Sequence, residues 1–193
     1  DIVESILRTI RPLAYFENYL EYGYYPIYKE EKSHIDYLLK NVNLTLEFDI
    51  PYANQIELKY LIKLKQLLYL AAKETGCNVN ISKLSNAIGV SRATVLNYLN
   101  YMKNARLLTL LYDSNNDDDC GKKPKKLYIH NPNLQSAVCL DNVDRATLRK
   151  SFFLSQLCPI YRIHYTENAD FLVNGKHEVD VCQEGEGKKK EPS

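Results

Sequence analysis

Tryptophan is absent from the 193 residues, and the five cysteines (Cys77, Cys120, Cys139, Cys158 and Cys182) stand singly with no CxxC pair. Isolated thiols and four scattered histidines, His34, His130, His164 and His177, suggest neither a zinc site nor a disulfide framework. A reducing, cytoplasmic location is therefore expected. No apolar run approaches the roughly 20 residues that cross a bilayer, and no signal peptide opens the chain, so no membrane partner is expected. GxxxxGK[ST] is also missing, which removes the backbone cradle and lysine that a P-loop needs for ATP. No Ser, Cys or carboxylate stands near a histidine at the spacing of a nucleophile motif, so catalytic residues, metal and cofactor are all expected to be none.

What is present is ordinary globular material. Hydrophobic residues make up 45% and charged residues 25%, enough to build a core. The net charge of +1 hides an asymmetry. Residues 1–50 carry 5 Lys/Arg against 9 Asp/Glu, whereas residues 51–107 carry 8 against 2. A local positive field, more than a positive total, is what phosphate backbones require.

That basic stretch contains a helix-turn-helix pattern. A short amphipathic segment with Leu84, Ala87 and Ile88 runs into Gly89-Val90, and Ser91 then caps a second helix whose Val95, Leu99 and Met102 form one stripe. Gly89 tolerates the irregular turn, and Val90 can plug the space between the helices. The opposite face carries Arg92, Ala93, Leu96, Asn97 and Asn100. Arg matches guanine, Asn matches adenine, and a helix-start Ser can hold a phosphate. The nucleic-acid-binding residues expected on this basis are Lys83, Ser91, Arg92, Thr94, Asn97, Asn100 and Lys103. Leu96, with Tyr98 and Tyr101, instead suits a protein neighbour.

Taken in order, the chain opens with helices. Ile2, Ile6 and Ile10 step by four, two helices meet near Arg11, and from Pro12 a stripe of Leu13, Phe16 and Leu20 runs to Gly23. After the aromatic turn YGYYPIY, Ser33 is expected to cap a helix burying Ile35, Leu38, Leu39 and Val42. LTLEFDIPY is read as helix ending before Pro51. Ile56 to Thr75 predicts an amphipathic helix with Leu61, Leu64, Leu68 and Ala71 inward, stopped by Gly76. LLTLLY and KLYIH are strand-like and form a two-stranded wing, joined by a solvated loop in which Asp117, Asp118 and Asp119 oppose Lys122, Lys123, Lys125 and Lys126. Asp144 to Leu157 is helical with Leu148, Phe152 and Leu157 inward, and IYRIHY is a strand. Asn174-Gly175 signals a two-residue hairpin. A regular turn there pairs Val173 with Lys176 and Phe171 with Glu178, sending Asp170 and Glu178 to opposite faces.

The order YGYYPIY, LEFDIPY, KLKQLLYLAA, NISKLSNAIGVSRATVLNYLNYM, KLYIHNPNL, SFFLSQL and ADFLVNGKHEV resembles the C-terminal part of bacterial and archaeal AAA-family ATPases of uncharacterised role. The resemblance implies a helical lid, a winged helix and a restriction-endonuclease-like domain behind a P-loop domain that this sequence lacks. It also implies acids at Asp170 and Glu178. Where it implies a helix Glu before the paired Phe residues, the sequence has Arg149, Lys150 and Ser151; the lysine implied after Glu178 is replaced by Val179, Asp180, Val181 and Cys182. The nuclease-like positions are thus degenerate.

The expected fold is α+β and mostly helical: a lid-like helical region at 1–52, a winged helix-turn-helix at 53–131, a small nuclease-like α/β unit at 132–182 and a disordered tail at 183–193. The expected function is DNA binding as an appendage of an ATPase. The alternatives are a protein-interaction or oligomerisation scaffold for the ATPase domain or a partner subunit and, third, a metal-dependent nuclease. Self-association stays open, because helix-turn-helix proteins that read palindromes usually dimerise.

Overall fold

The computed structural model describes residues 4, 10, 12–26, 34–114, 122–139 and 143–181. Ile2, Ile6, Arg11, Ser33, Asp117, Asp118, Asp119 and the tail, for which expectations are given above, lie outside the described residues. Within them the protein is α+β and mostly helical, with one two-stranded and one three-stranded antiparallel sheet.

Pro12 opens α1 (Pro12–Asn18), where its missing N–H has no intrahelical partner to lose. The helix widens into a π turn at Tyr19–Gly23 and buries Leu20. In α2 (His34–Leu44) the buried face is His34, Leu38 and Val42; Ile35, expected inside, is exposed. The helix continues through a second widened turn, Thr45–Asp49, into α3 (Ile50–Asn54), so Pro51 does not end it. The π turn before it has already interrupted the regular ladder, and Pro51 falls in the first turn of α3. Gln55, at φ 52°, ends the run instead.

The next helix, expected from Ile56, starts later because Glu57 is extended and Leu58–Tyr60 form a 3₁₀ turn. α4 (Leu61–Lys73) then buries Leu64, Leu67, Leu68, Ala71 and Ala72. Beyond Gly76, at φ 82°, Asn78 bridges Lys126 and Val79 N–H donates to the Lys125 carbonyl at 2.8 Å. Asn80 caps α5 (Ile81–Ile88), whose inward residues are Ile81, Leu84 and Ile88; Ala87 is exposed, correcting the expected stripe. Gly89 takes the left-handed turn at φ 65°, and Ser91 caps α6 (Arg92–Asn104). β1 (Leu108–Leu111) pairs antiparallel with β2 (Lys126–Ile129), Leu108 opposite Ile129.

One cluster of buried side chains runs from Val42, Leu46 and Ile50 through α4, α5 and α6 to Leu134, across the boundaries drawn at 52/53 and 131/132. Val95, Leu99 and Met102 are fully buried at its centre. A smaller cluster of Leu111, Tyr128, Leu154 and Phe171 joins the ribbon to the C-terminal elements.

α7 (Pro132–Val138) packs against α2 and α8 (Arg145–Leu157). In α8 the buried residues are Ala146, Ser151, Leu154 and Ser155 rather than Leu148, Phe152 and Leu157. Small residues suit a close approach: the Ser151 hydroxyl donates to Gln135 Oε1 at 2.6 Å, and Phe152 turns to meet Phe16 edge-on at 5.0 Å. β3 is only Ile163–His164, followed by the hairpin β4 (Phe171–Val173) and β5 (His177–Val179). Asn174 and Gly175 make the expected tight turn, closed by Lys176 N–H on the Val173 carbonyl at 3.1 Å, yet Val173 pairs with His177 and Leu172 with Glu178. Lys176 is therefore an extra residue, and the register shifts by one. The shift turns Asp170 and Glu178 to the same side of the hairpin, correcting the expectation of opposite faces.

Three amides at the ribbon–α7 junction are almost wholly buried. Asn131 accepts from Leu134 N–H at 2.9 Å and donates to the Tyr25 hydroxyl at 2.8 Å. Asn133 donates to the Tyr19 and Leu20 carbonyls and accepts from Tyr24 N–H at 2.6 Å, closing the end of the α1 region. Replacing it by alanine strands two carbonyls and one N–H. Asn133→Ala is expected to lower unfolding free energy by about 2–4 kcal/mol, read as a lower urea midpoint. A change below about 0.5 kcal/mol would mean that water replaces the amide.

Candidate nucleic-acid interface

Ser91 leaves its own backbone extended and accepts Thr94 N–H at 3.1 Å, while the two hydroxyls meet at 2.8 Å. The cap fixes where α6 begins and leaves the Ser91 hydroxyl exposed at the helix N-terminus. With Val95, Tyr98, Leu99 and Met102 buried, helical geometry turns Ala93, Asn97 and Asn104 to the opposite side, and all three are exposed. Arg92 is exposed beside them and makes no ion pair among the described residues. Leu96 is half-buried and packs against the core, so it is not the free contact its position suggested.

The seven expected residues divide. Ser91, Arg92, Thr94 and Asn97 gather at the N-terminal half of α6. Asn100 and Lys103 lie toward its other end and turn to Tyr112: its hydroxyl donates to Asn100 Oδ1 at 3.4 Å, and Lys103 Nζ sits 5.0 Å from its ring centroid. Lys83 projects from the first turn of α5 to Glu74, whose carboxylate raises its pKa by hydrogen bond and charge. These three are separate from the group at the start of α6.

Local pairing decides which cations of the basic stretch remain. Lys59 pairs with Glu57, Lys65 with Glu47 and Lys83 with Glu74. Lys73 lies over the Tyr69 ring at 4.7 Å. Lys63 makes no ion pair among the described residues, and its Nζ lies 3.8 Å from where a Cβ on Gly89 would stand, beside the turn that starts α6. Reading the sequence missed Lys63, which belongs to a different helix and reaches the turn only through packing. In the loop joining the strands, Lys125 pairs with Asp113 at 3.2 Å, and both Lys125 and Lys126 lie over Tyr165.

The nuclease-like acids are engaged structurally. Asp170 pairs with Lys150 at 2.5 Å and accepts Val181 N–H at 3.0 Å. Glu178 accepts from the Thr166 hydroxyl at 2.9 Å and from the Asn168 amide at 3.1 Å. Both acids thus bond within the C-terminal elements, Glu178 while still exposed. Arg149, near the helix position implied for a Glu, pairs with Glu17 at 2.9 Å and ties α8 to α1. No group of three His, Cys, Asp or Glu that could hold a metal occurs among the described residues. Among the described residues no helix is long and apolar enough to cross a membrane.

Beyond the end of α6, burial and the Arg106 charge hold His130 below the usual imidazole range. An unfolded chain takes up that proton near pH 6.5, before the folded chain does. Stability from neutral His130 is therefore complete above that pH and is lost as pH falls toward the folded value. The urea midpoint should drop between pH 7 and pH 5.5, and the drop should be shallower in His130→Gln. Equal slopes in the two proteins would remove His130 as the source.

No curated protein and no solved structure matches this chain. A family model does match, over residues 13–145, a span from α1 through the helix-turn-helix and ribbon to the start of α8. The chain belongs to that family, described as Domain of unknown function (DUF8612).

Proposed function

We propose that this chain is a DNA-binding winged-helix module. The order α4, the Asn78 bridge, α5, α6 and the β1–β2 ribbon suits that architecture, with α6 entering the major groove and the ribbon as the wing. One observation carries the reading. The solvent face of α6 bears Arg92, Ala93, Asn97 and Asn104, with no carboxylate among them and no ion pair on Arg92 among the described residues. Arg92 then reads guanine and Asn97 adenine, while Ser91 and Lys63 hold phosphates at the helix start. Thr94 supports the cap. In the setting implied by the ATPase resemblance, the module places a motor domain on DNA.

A second reading rests on a different surface. Phe48, Tyr52, Leu58 and Ile62, on the successive segments around α3 and the start of α4, are 61, 92, 78 and 65% exposed. Large apolar side chains so exposed on neighbouring segments favour a protein contact. An ATPase domain or another subunit would cover them, with or without DNA on α6.

Fluorescence anisotropy with a mixed-sequence DNA duplex across a salt series tests the first reading. Affinity should fall linearly with log salt on a log scale. Arg92→Glu should weaken binding roughly tenfold or more, and Lys83→Glu much less, since Glu74 already occupies that lysine. Absence of binding by the wild-type chain at low salt, or equal affinity in Arg92→Glu, would transfer the assignment to the apolar surface.

A further inference from the structure

We propose that the outward face shared by the α2–α3 run and the start of α4 is where a second copy of this chain docks, about a two-fold axis. This assignment rests on the protein contact inferred above for Phe48, Tyr52, Leu58 and Ile62, and it names the partner.

The face arises from two rows at helical spacing. The helical run from α2 through the π turn to α3 sends Leu38, Val42, Leu46 and Ile50, each four residues apart, into the core. Leu44, Phe48 and Tyr52 repeat with the same spacing two residues out of step, so they point away from it. On the next segment Leu58 and Ile62 are again four apart and Tyr69 follows two turns on, while Leu64, Leu68 and Ala71 hold the inner side. The Glu47–Lys65 ion pair joins the two rows. Leu44 and Tyr69 are 42 and 39% exposed, adding to the four larger values above. Taking about 200 Å² for a fully exposed aromatic side chain and about 150 Å² for an aliphatic one, the six present roughly 650 Å². The largest apolar patch of a typical monomer is about 300–600 Å², whereas each partner of a standard interface buries about 800 Å². The face therefore matches half of a stable dimer better than a lone surface.

Charge selects a second copy as the occupant. A face that docks on itself meets its own charges, so one of a single sign repels its partner. Between the rows, Glu47 and Lys65 already neutralise each other. Along the α2–α3 run, Lys40 precedes Leu44 and Asp49 follows Phe48; both are exposed and make no ion pair among the described residues. A two-fold axis across the run sets two copies antiparallel, which turns each Lys40 toward the partner's Asp49. The solvent face of α6, with Arg92 and no carboxylate, lacks that balance.

Sedimentation equilibrium of the full chain from about 1 to 100 µM should show a monomer–dimer equilibrium with a dissociation constant of about 10 µM or tighter. Phe48→Glu and Ile62→Lys, on different segments and both outside the core, should each weaken dimerisation at least tenfold with an unchanged circular-dichroism spectrum. Arg92→Glu lies off this face and should leave dimerisation unchanged, so failure of DNA binding is read separately. A monomer throughout the range, or a dimer that neither apolar variant weakens, overturns the assignment. Photo-cross-linking separates that failure from failure of the protein-contact reading. The chain carries p-benzoylphenylalanine in place of Gln66, which is exposed one turn beyond Ile62, and is irradiated both pure and in the cells that express it. A cross-link between two copies is expected. A cross-link to a different protein alone overturns the second copy and keeps the protein contact; a monomer with no cross-link of either kind overturns both.

Discussion

The buried amides Asn131, Asn133 and Gln135 set the arrangement of the protein, because a buried polar group must find its partner or destabilise the fold. Asn131 starts α7 and reaches Tyr25; Asn133 closes the α1 region; Gln135 receives Ser151 of α8. Three segments distant in sequence thus meet at one turn of helix. Apolar packing could have accepted several relative positions of α1 and α8. Directional bonds from a junction that is already fixed to the ribbon accept far fewer. The unit around the helix-turn-helix and the elements on either side of it are consequently held in a single arrangement, with Arg149 on Glu17 adding a charged tie.

The helix-turn-helix was legible because everything defining it is local. Asn80 and Ser91 cap their helices through side-chain bonds to residues three further on, Gly89 supplies the left-handed turn, and the stripe Val95, Leu99, Met102 has helical spacing. The ribbon was legible for the same reason. What failed depended on neighbours. Ala87 and Ile35 fit their stripes yet face solvent, while Leu148, Phe152 and Leu157 yielded the buried face of α8 to small residues chosen by contact with α7. Pro51 is an interruption only in a regular ladder, and the π turn before it had no signal in composition. At Asn174-Gly175 the turn chemistry was right and the ladder still slipped by one, because the extra residue Lys176 follows the turn rather than forming it.

The candidate site was half legible for a related reason. Residue type marks Arg92 and Asn97 correctly as exposed on α6, but a lysine's partner is set in three dimensions. Lys83 belongs to Glu74 and Lys103 leans on Tyr112, whereas Lys63 arrives at the α6 turn from another helix. The eight bases of residues 51–107 are thereby sorted: both acids of that stretch are consumed locally, and so is Glu47 from outside it. Lys63 and Arg92 then stand at the start of α6, and Lys103 and Arg106 near its end.

Those ends are not equivalent. The helix dipole places partial negative charge at the C-terminus, where it favours Lys103, so a cation near that end has a stabilising role independent of any ligand. At the N-terminus the dipole is positive, and Arg92 in the first turn opposes it at a cost of about 0.3–1 kcal/mol. No carboxylate stands in the first turn of α6 to offset that cost, although the Ser91 cap shows that the end is otherwise well formed. A nearby anion would interact favourably with both the dipole and the guanidinium. Stability therefore accounts in part for the cations at the far end, whereas the helix dipole gives Arg92 in the first turn no such account.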